Sequence, residues 1–517
     1  MTTRTTRRAG LAVVATVATA ALFAACSPGE GVDVDGSGEG GSGDAGGILV
    51  AAIAGEPDQL DPQSTSSYFS FQVLENVFDT LVAPDENLVM QPALAESWEI
   101  SDDQLTWTFT LRDDVTWHDG TAFDADDVVY SYRRIMDEEL ASSWRFAAVE
   151  DVSATDERTV VITVTNPSPN LLASIGGYKG VAIVQQENVE SGEITTQPVG
   201  TGPFELSAYS SGERIELVAH EEHWGGAPHL DGVTFQFIPE PTTALAALAA
   251  GEIDWTDSVP PQQVGSLMED SSIDIAQVGS NDYWYLATNQ ANPPFDDVRV
   301  RQAIAYAIDR DAITEATMYG NATVNQTAIP VSSAWYTEYD TYSLDTARAS
   351  DLLDEAGVDD LTIDLMVTAD YPETVTAAQV IESQLAEVGI AVEIRSLDFG
   401  TWLDEQGQGN WDMLMLGWLG NIDPDDFYYG QHHTDGPNNY QGYSNPEVDD
   451  LLDAGRTETD EQARQEIYAE AATQIADDAS YIYLYNPAVV QTWSPDVVGY
   501  VARGDRAIRF ADVSLDR

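Results

Sequence analysis

His220-Glu221-Glu222-His223 packs two imidazoles and two carboxylates into one short stretch, and the chemistry it suggests first is a zinc site. Zinc hydrolases set their paired histidines one helical turn apart, at i and i+4, so that both reach one metal from one helix face. The spacing here is His-x-x-His instead. The adjacent pair His432-His433 is a second imidazole candidate. Acid–base couples cannot be singled out, because 88 Asp and Glu residues in a chain of 517 set carboxylates beside one another everywhere. Neither a nucleophile elbow nor a P-loop occurs. The single cysteine, Cys26, excludes an intramolecular disulfide framework and any cysteine-cluster metal site. Only 21 Lys and Arg offset the carboxylates, for a net charge of −67. A surface of that sign repels nucleic acid and favours solubility. None of these residues by itself singles out a catalytic centre, a cofactor or a metal site.

The stretch from Trp411 to Phe427 is the leading candidate for a binding wall. Its first part is a short apolar run, the pattern of a strand buried on both faces. Its second part, with Gly417, Gly420, Asn421, Asp423 and Pro424, reads as a loop. In open parallel sheets, ligands bind beyond the carboxyl ends of strands. This stretch would bring the Trp418 ring, bare backbone and polar groups to such a crevice.

The elements that must position this wall follow from periodicity. Leu361–Val367, Thr374–Val388 and Ala391–Leu397 read as strand, helix and strand, the lengths of a right-handed parallel crossover. Helices are expected over Val298–Ile308, Ala347–Ala356, Thr401–Gln408, Pro446–Gly455 and Asp460–Asp478, with a last strand at Ser480–Tyr485. In the first half, Ile48–Ile53 reads as a buried strand, and Tyr68 to Asp79 as a helix. Leu105–Leu111 alternates apolar residues with Thr, as a half-buried antiparallel strand does, and Asp124 can cap a helix from Ala125 to about Met136. Arg214–Val218, Val233–Phe237 and Tyr283–Thr288 are further strands. The body is thus α/β, with an α+β insertion in its first half.

The N-terminus reads as an address. Arg4, Arg7 and Arg8 precede an apolar run from Leu11 to Ala25, which ends at Ala24-Ala25-Cys26. A lone cysteine there resembles the lipobox of bacterial lipoproteins, in which it is lipidated, although Phe23 stands where Leu is usual. Residues 1–25 are then a signal peptide and 26–47, rich in Gly, Ser, Asp and Glu, a flexible tether on the outer face of a membrane.

An ordered set of motifs runs through the rest. It includes Pro92-Ala93-Leu94-Ala95-Glu96-Ser97-Trp98, Gly200-Thr201-Gly202-Pro203-Phe204, Gly251-Glu252-Ile253-Asp254, Pro293–Ala303 and Asn445-Pro446-Glu447-Val448-Asp449. Together they resemble the oligopeptide/dipeptide-binding family (family 5) of solute receptors serving bacterial ABC importers, from residue 48 to the C-terminus. The resemblance implies a periplasmic-binding-protein-like type II fold, two lobes joined by hinge strands with an inserted α+β domain, and a ligand enclosed by hinge closure. Mapped here, lobe I is 48–82, 197–287 and 486–517, the insertion 83–196 and lobe II 288–485, with hinges near Leu286–Asn289 and Tyr485–Pro487. Implied partners are a small-molecule ligand, a peptide foremost, and the permease and ATPase subunits of an importer, for a monomeric, lipid-anchored receptor. A sensor reporting to a signalling partner, or a receptor for an oligosaccharide or metal chelate, are the alternatives; His432-His433 lies near the expected crevice.

The resemblance also assigns the site. An extended ligand would add as a strand between backbone at Ser66, Ser67, Tyr68 and Phe69 and at Gly417, Trp418 and Leu419. Matching wall aromatics are Trp144, Phe399, Trp418 and Tyr485; for Trp144 and Phe399 core packing is the competing role. The position of the Asp that pairs with a ligand amine in many relatives holds Asn421, and Asp423 could replace it or simply serve a turn. Arginines that hold ligand carboxylates in some relatives match Gln406 and Met415. The weakened clamps shift the expected ligand toward uncharged, blocked or cationic compounds.

Overall fold

The computed structural model describes residues 46–177, 179–419 and 422–517. The expected signal peptide, Cys26, nearly all of the tether, and Asn421 lie outside these residues. Among the described residues no helix is long and apolar enough to cross a membrane.

The parallel unit forms as its pattern requires. Thr362–Thr368, the helix Pro372–Ala386 and Ala391–Leu397 make a crossover, the two strands parallel and in register from Thr362↔Ala391 to Thr368↔Leu397. Met413–Trp418 joins the other edge of Thr362–Thr368, and Tyr283–Thr288 pairs antiparallel with Met413–Trp418. Because strand side chains alternate, this sheet buries residues on both faces. Met413 and Met415 enter a core with Leu286, Ile363, Leu365 and Ile381, while Leu414 enters another with Tyr283, Tyr285, Trp402 and Phe427.

A separate core holds the first lobe. Ile48–Ile53 runs parallel to Gly232–Phe237 and to Trp255–Thr256, and buries Leu49, Ala51 and Ile53 against Phe204, Phe235, Trp255 and Phe510. The insertion has a third core. Four antiparallel strands lie in the order Ala95–Ile100, Thr106–Leu111, Thr159–Val164, Val149–Asp156. The Thr/apolar alternation sends Trp107, Phe109 and Leu111 inward against Val128, Tyr132 and Ile135 of the helix Ala125–Asp137. Each such side chain contributes about 1.5–3 kcal/mol. Asp124 and Asp127 close a capping box at the start of that helix.

One strand belongs to both lobes. Tyr481–Trp493 extends eight residues beyond the expected Tyr485 end. Its first part pairs with Tyr283–Thr288, its last part with Asp274–Gly279 and Trp255–Thr256. The chain crosses between the lobes here, at Asn486–Pro487, and again at Ser280–Asp282. The buried Asn486 amide fixes the first crossing by donating to the carbonyls of Asp282 (2.9 Å) and Ala328 (3.0 Å). Ser280 fixes the second, its Oγ donating to the Pro487 carbonyl at 2.8 Å.

Two expectations are corrected, and one element is added. The crossing at Ser280–Asp282 lies upstream of the expected Leu286–Asn289, because Tyr283 already pairs with Trp418 of the second lobe. The segment read as loop through Phe427 becomes helical at Pro424: Asp423 is the N-cap and Pro424 the first residue of the helix Pro424–His432. A helix at Arg310–Met318, capped by Asp309, was not anticipated.

Candidate functional site: the cleft between the lobes

A cavity of about 390 Å³ opens where the two lobes and the insertion meet. Ser66 and Tyr68 line it from the first lobe, Leu419 from the second, Gly177 from the insertion, and Asp282 from the crossing. Arg506 reaches it from the C-terminal segment. A second cavity, of about 300 Å³, shares Tyr68 and Arg506 and adds Phe69 and Asp257.

The first-lobe wall is polar. Tyr68 begins the short helix Tyr68–Leu74 and donates its hydroxyl to Asp257 at 3.2 Å. Gln72, one turn on, donates to the same carboxylate oxygen at 2.6 Å. Burial raises the Asp257 carboxyl above its usual range, with the Arg506 charge opposing that shift. Burial, then the Asp257 charge, raises the Tyr68 hydroxyl. The Arg506 guanidinium lies 5.7 Å from the centre of the Tyr68 ring and pairs with Asp282 at 3.1 Å. Arg506 has φ 58°, a left-handed conformation that costs a side-chain-bearing residue about 1–2 kcal/mol. Ser66 is exposed, while Ser67, at the N-cap position, and Phe69 are half-buried.

The second-lobe wall is aromatic and backbone. Gly417 lies under Trp284: a Cβ there would stand 2.9 Å from the indole. Trp284 stacks on Tyr485 with centroids 6.4 Å apart and meets Tyr371 edge-on at 6.1 Å. Tyr371 in turn meets Phe399 at 5.4 Å, and Phe399 stacks on Trp402. Of these, Tyr485 and Trp402 are buried and serve the core. Phe399 starts the helix Phe399–Gln408 and is half-buried. Trp418 is half-buried and packs against the Tyr285 and Tyr481 core, whereas Leu419 is 58% exposed. One edge of this strand is partly bare. Met413–Trp418 pairs fully with Tyr283–Thr288, but its ladder with Thr362–Thr368 ends at Leu414. Among the described residues, Leu416 to Trp418 have no strand on that side, so the edge can take an added strand.

Other sequence candidates lie elsewhere. Asp423 is 7% exposed and forms a bidentate pair with Arg464, at 2.6 and 2.8 Å, while capping its helix. The expectation that it stands in as an amine anchor is corrected: its charge is already neutralised. Trp144 lines neither cavity; it is 49% exposed, with the Arg145 guanidinium 4.4 Å from its ring centre. Arg145 reaches across to Asp426 of the second lobe at 3.3 Å. Gln406 and Met415 are buried. His432 is held between Ser480 Oγ and Tyr483 Oη, 2.8 Å from each, and burial pushes it down to about 3, so it is neutral. His223 sits 3.8 Å from Asp79, which also accepts from Trp224 Nε1 at 2.8 Å. Among the described residues, no group of three His, Cys, Asp or Glu is arranged to hold a metal. Sequence reasoning missed Trp284, Tyr371 and Arg506. The apolar run Tyr283–Thr288 contained a signal for the first; nothing local marked the other two.

Two lobes, two crossings and a cavity between them define a receptor that encloses a solute. Residues 89–440 match the bacterial extracellular solute-binding proteins, family 5, middle region. The chain belongs to this family, whose members are extracytoplasmic solute receptors of ABC importers rather than enzymes. It is 28% identical over 509 residues to the dipeptide-binding protein of Escherichia coli, covering 90% of this chain and 94% of that one. It is 30% identical over 463 residues to heme-binding protein A of Haemophilus influenzae, covering 83% and 84%. Among solved structures it is similar to the Helicobacter pylori periplasmic binding protein DppA in complex with the peptide STSA. That likeness has a TM-score of 0.81 and 27% identity, over 91% of this chain and 98% of that one.

Proposed function

We propose that this receptor captures a short peptide, or a compound with a peptide-like backbone, and delivers it to its permease. The observation that carries this reading is the bare strand edge at Leu416–Trp418, next to Leu419 on the cavity. Backbone pairing there tolerates many side chains, which suits a nutrient receptor. Tyr68 and Arg506 face the same cavity and would fix the ligand's other side. Ser66, Ser67, Phe69, Gly417 and the exposed edges of Trp418 and Phe399 complete the proposed contacts. Hinge bending at Ser280–Asp282 and Asn486–Pro487 would open and close the site. The relatives' printed ligands, dipeptide and heme among them, support a fold that accepts several solute classes, and ATP hydrolysis belongs to other subunits. We also propose that Cys26 carries lipid and holds a monomeric receptor at the outer face of the membrane. Mass spectrometry of the mature N-terminus checks that point.

Calorimetry against di- to tetrapeptides, heme, glutathione, a neutral oligosaccharide and a nickel–histidine complex tests the ligand reading. Saturable binding of peptides alone supports it, and binding confined to a non-peptide solute sinks it. Gly417→Val sharpens the test. Its side chain would collide with Trp284 and displace the strand edge, so peptide affinity should fall by roughly a hundredfold while stability drops by about 1–3 kcal/mol. Unchanged affinity would remove the strand-addition mechanism.

A further inference from the structure

Arginine is scarce in this chain, and nearly every guanidinium among the described residues has a carboxylate partner or is fully engaged by backbone. Two of the exceptions to carboxylate pairing are buried and satisfied by carbonyls. Arg301 donates to Asp478 and Phe295, and Arg310 to Tyr483, Ala305 and Tyr342. The third, Arg509, is different. It is half-buried, lines the 390 Å³ cavity, and has one long bond, from Nη1 to the Pro84 carbonyl at 3.4 Å.

The carboxylates of the cavity already have partners within the protein. Asp282 pairs with Arg506, and Asp505 with Arg503 at 2.9 Å. Asp79 accepts from Trp224 and Thr201, and Asp85 from the backbone of Asn87 and Val89. Glu75 accepts from the Ile508 backbone at 3.2 Å. A guanidinium carries five donors in a planar fork that matches a carboxylate in two parallel bonds. Leaving one such fork open, in a wall where the carboxylates have partners, gives the cavity a local positive vacancy despite the acidic surface outside.

We propose that Arg509 is a specificity-determining residue that binds a carboxylate of the solute, so that this receptor selects acidic or free-carboxylate ligands. The proposal rests on the receptor reading above and reverses the expectation of uncharged, blocked or cationic ligands. That expectation followed from Asn421 at the amine-anchor position and from Gln406 and Met415 at the carboxylate-holding positions, the last two both buried. Arg509 offers the missing charge from the opposite side, where the first lobe meets Pro84 at the root of the insertion. A ligand reaching both the bare strand edge and Arg509 would span the cavity.

Matched pairs test it with the full-length protein: trialanine against trialanine amide, and galacturonate against galactose. In whichever pair binds, the wild type should take the acid roughly tenfold to a hundredfold more tightly than its neutral partner. Arg509→Gln should bring that ratio to about one, and Arg509→Lys should keep most of it, since a point charge remains. Circular dichroism establishes that the variants fold; if Arg509→Gln does not, the wild-type ratio and the lysine variant decide the matter. A wild type indifferent to the acid, or a preference surviving in Arg509→Gln, overturns the role of Arg509 and leaves the receptor reading standing. Failure of both pairs, together with failure of every solute in the calorimetric panel, overturns both.

Discussion

Two clusters of charge, one away from the cavity where Asp426 meets Arg145 and one on the cavity at Arg506, are built in opposite ways. At the start of the helix Pro424–His432, Asp423, Asp425 and Asp426 are buried and matched by Arg464, Arg456 and Arg145. Around Arg506, the ion pair with Asp282 is partly open to the cavity, the arginine side chain 33% exposed. Taking charge from water costs several kcal/mol per ion, and only close pairing returns it. The first cluster is closed on itself and can do little but hold structure. The second keeps a face toward the cavity, where a ligand can complete it. Proximity to a cleft therefore does not make a carboxylate a ligand anchor; what matters is whether its charge is already spent.

The largest effect expected from this contrast is on stability. Asp423→Asn leaves Arg464 buried without its bidentate partner and should cost about 3–5 kcal/mol in denaturant unfolding. Ligand affinity of the folded variant should not change. A selective loss of affinity for free-amine ligands would instead restore Asp423 as an anchor and break the comparison.

Arg506 gives the next effect. Arg506→Ala and Arg506→Gly both remove the ion pair and should weaken binding alike. The glycine variant should be the more stable by about 1 kcal/mol, because the left-handed backbone no longer strains a Cβ. Thermal melts separate the two; equal melting temperatures would mean the backbone is relaxed.

The closed cluster should also be visible in pH dependence. Burial, opposed by Arg456, raises Asp425 to about 7. The folded carboxyl then keeps a proton that the unfolded chain releases near the ordinary value of 3.8. This group's stabilisation is full below that lower value and is lost as pH rises toward 7. Asp425→Asn should flatten that part of the stability profile, measured by urea unfolding between roughly pH 4 and pH 7. A parallel downward slope in the variant would assign it to other groups.

Trp144 should matter least. It is exposed and lines neither cavity, so Trp144→Ala is expected to change stability by no more than about 0.5 kcal/mol. Ligand affinity should shift by no more than about twofold. A larger loss of affinity would bring the insertion into the ligand wall.

What the sequence disclosed was local. The unit from Thr362 to Leu397 and the cap at Asp124 were legible because period, length and capping residue all lie within a few turns. The bare edge at Leu416–Trp418 was half legible: an apolar run ending in Gly417-Trp418 marked the strand, but only register shows where its partner leaves. Asp423 was misjudged because its partner, Arg464, is far away in the chain and carries no local signal. Tyr371 and Arg506 were missed for the same reason, whereas Trp284 lay in a legible strand whose role in the wall was not. Each gains its position from packing across the sheet, the cleft or the C-terminal return. The crossing at Ser280–Asp282 was misplaced because a strand's pattern does not state which lobe it will join.

The strand Tyr481–Trp493 also constrains how the molecule is made. The sheets of both lobes need it, although its partners Trp255–Thr256 and Tyr283–Thr288 lie far upstream in the chain. Neither sheet can be completed before this strand has been made, and pairings so distant in sequence form slowly. For a protein that works outside the cytoplasm, closure that waits on this strand keeps the upstream polypeptide loose, the condition under which it can still be threaded through a narrow export channel.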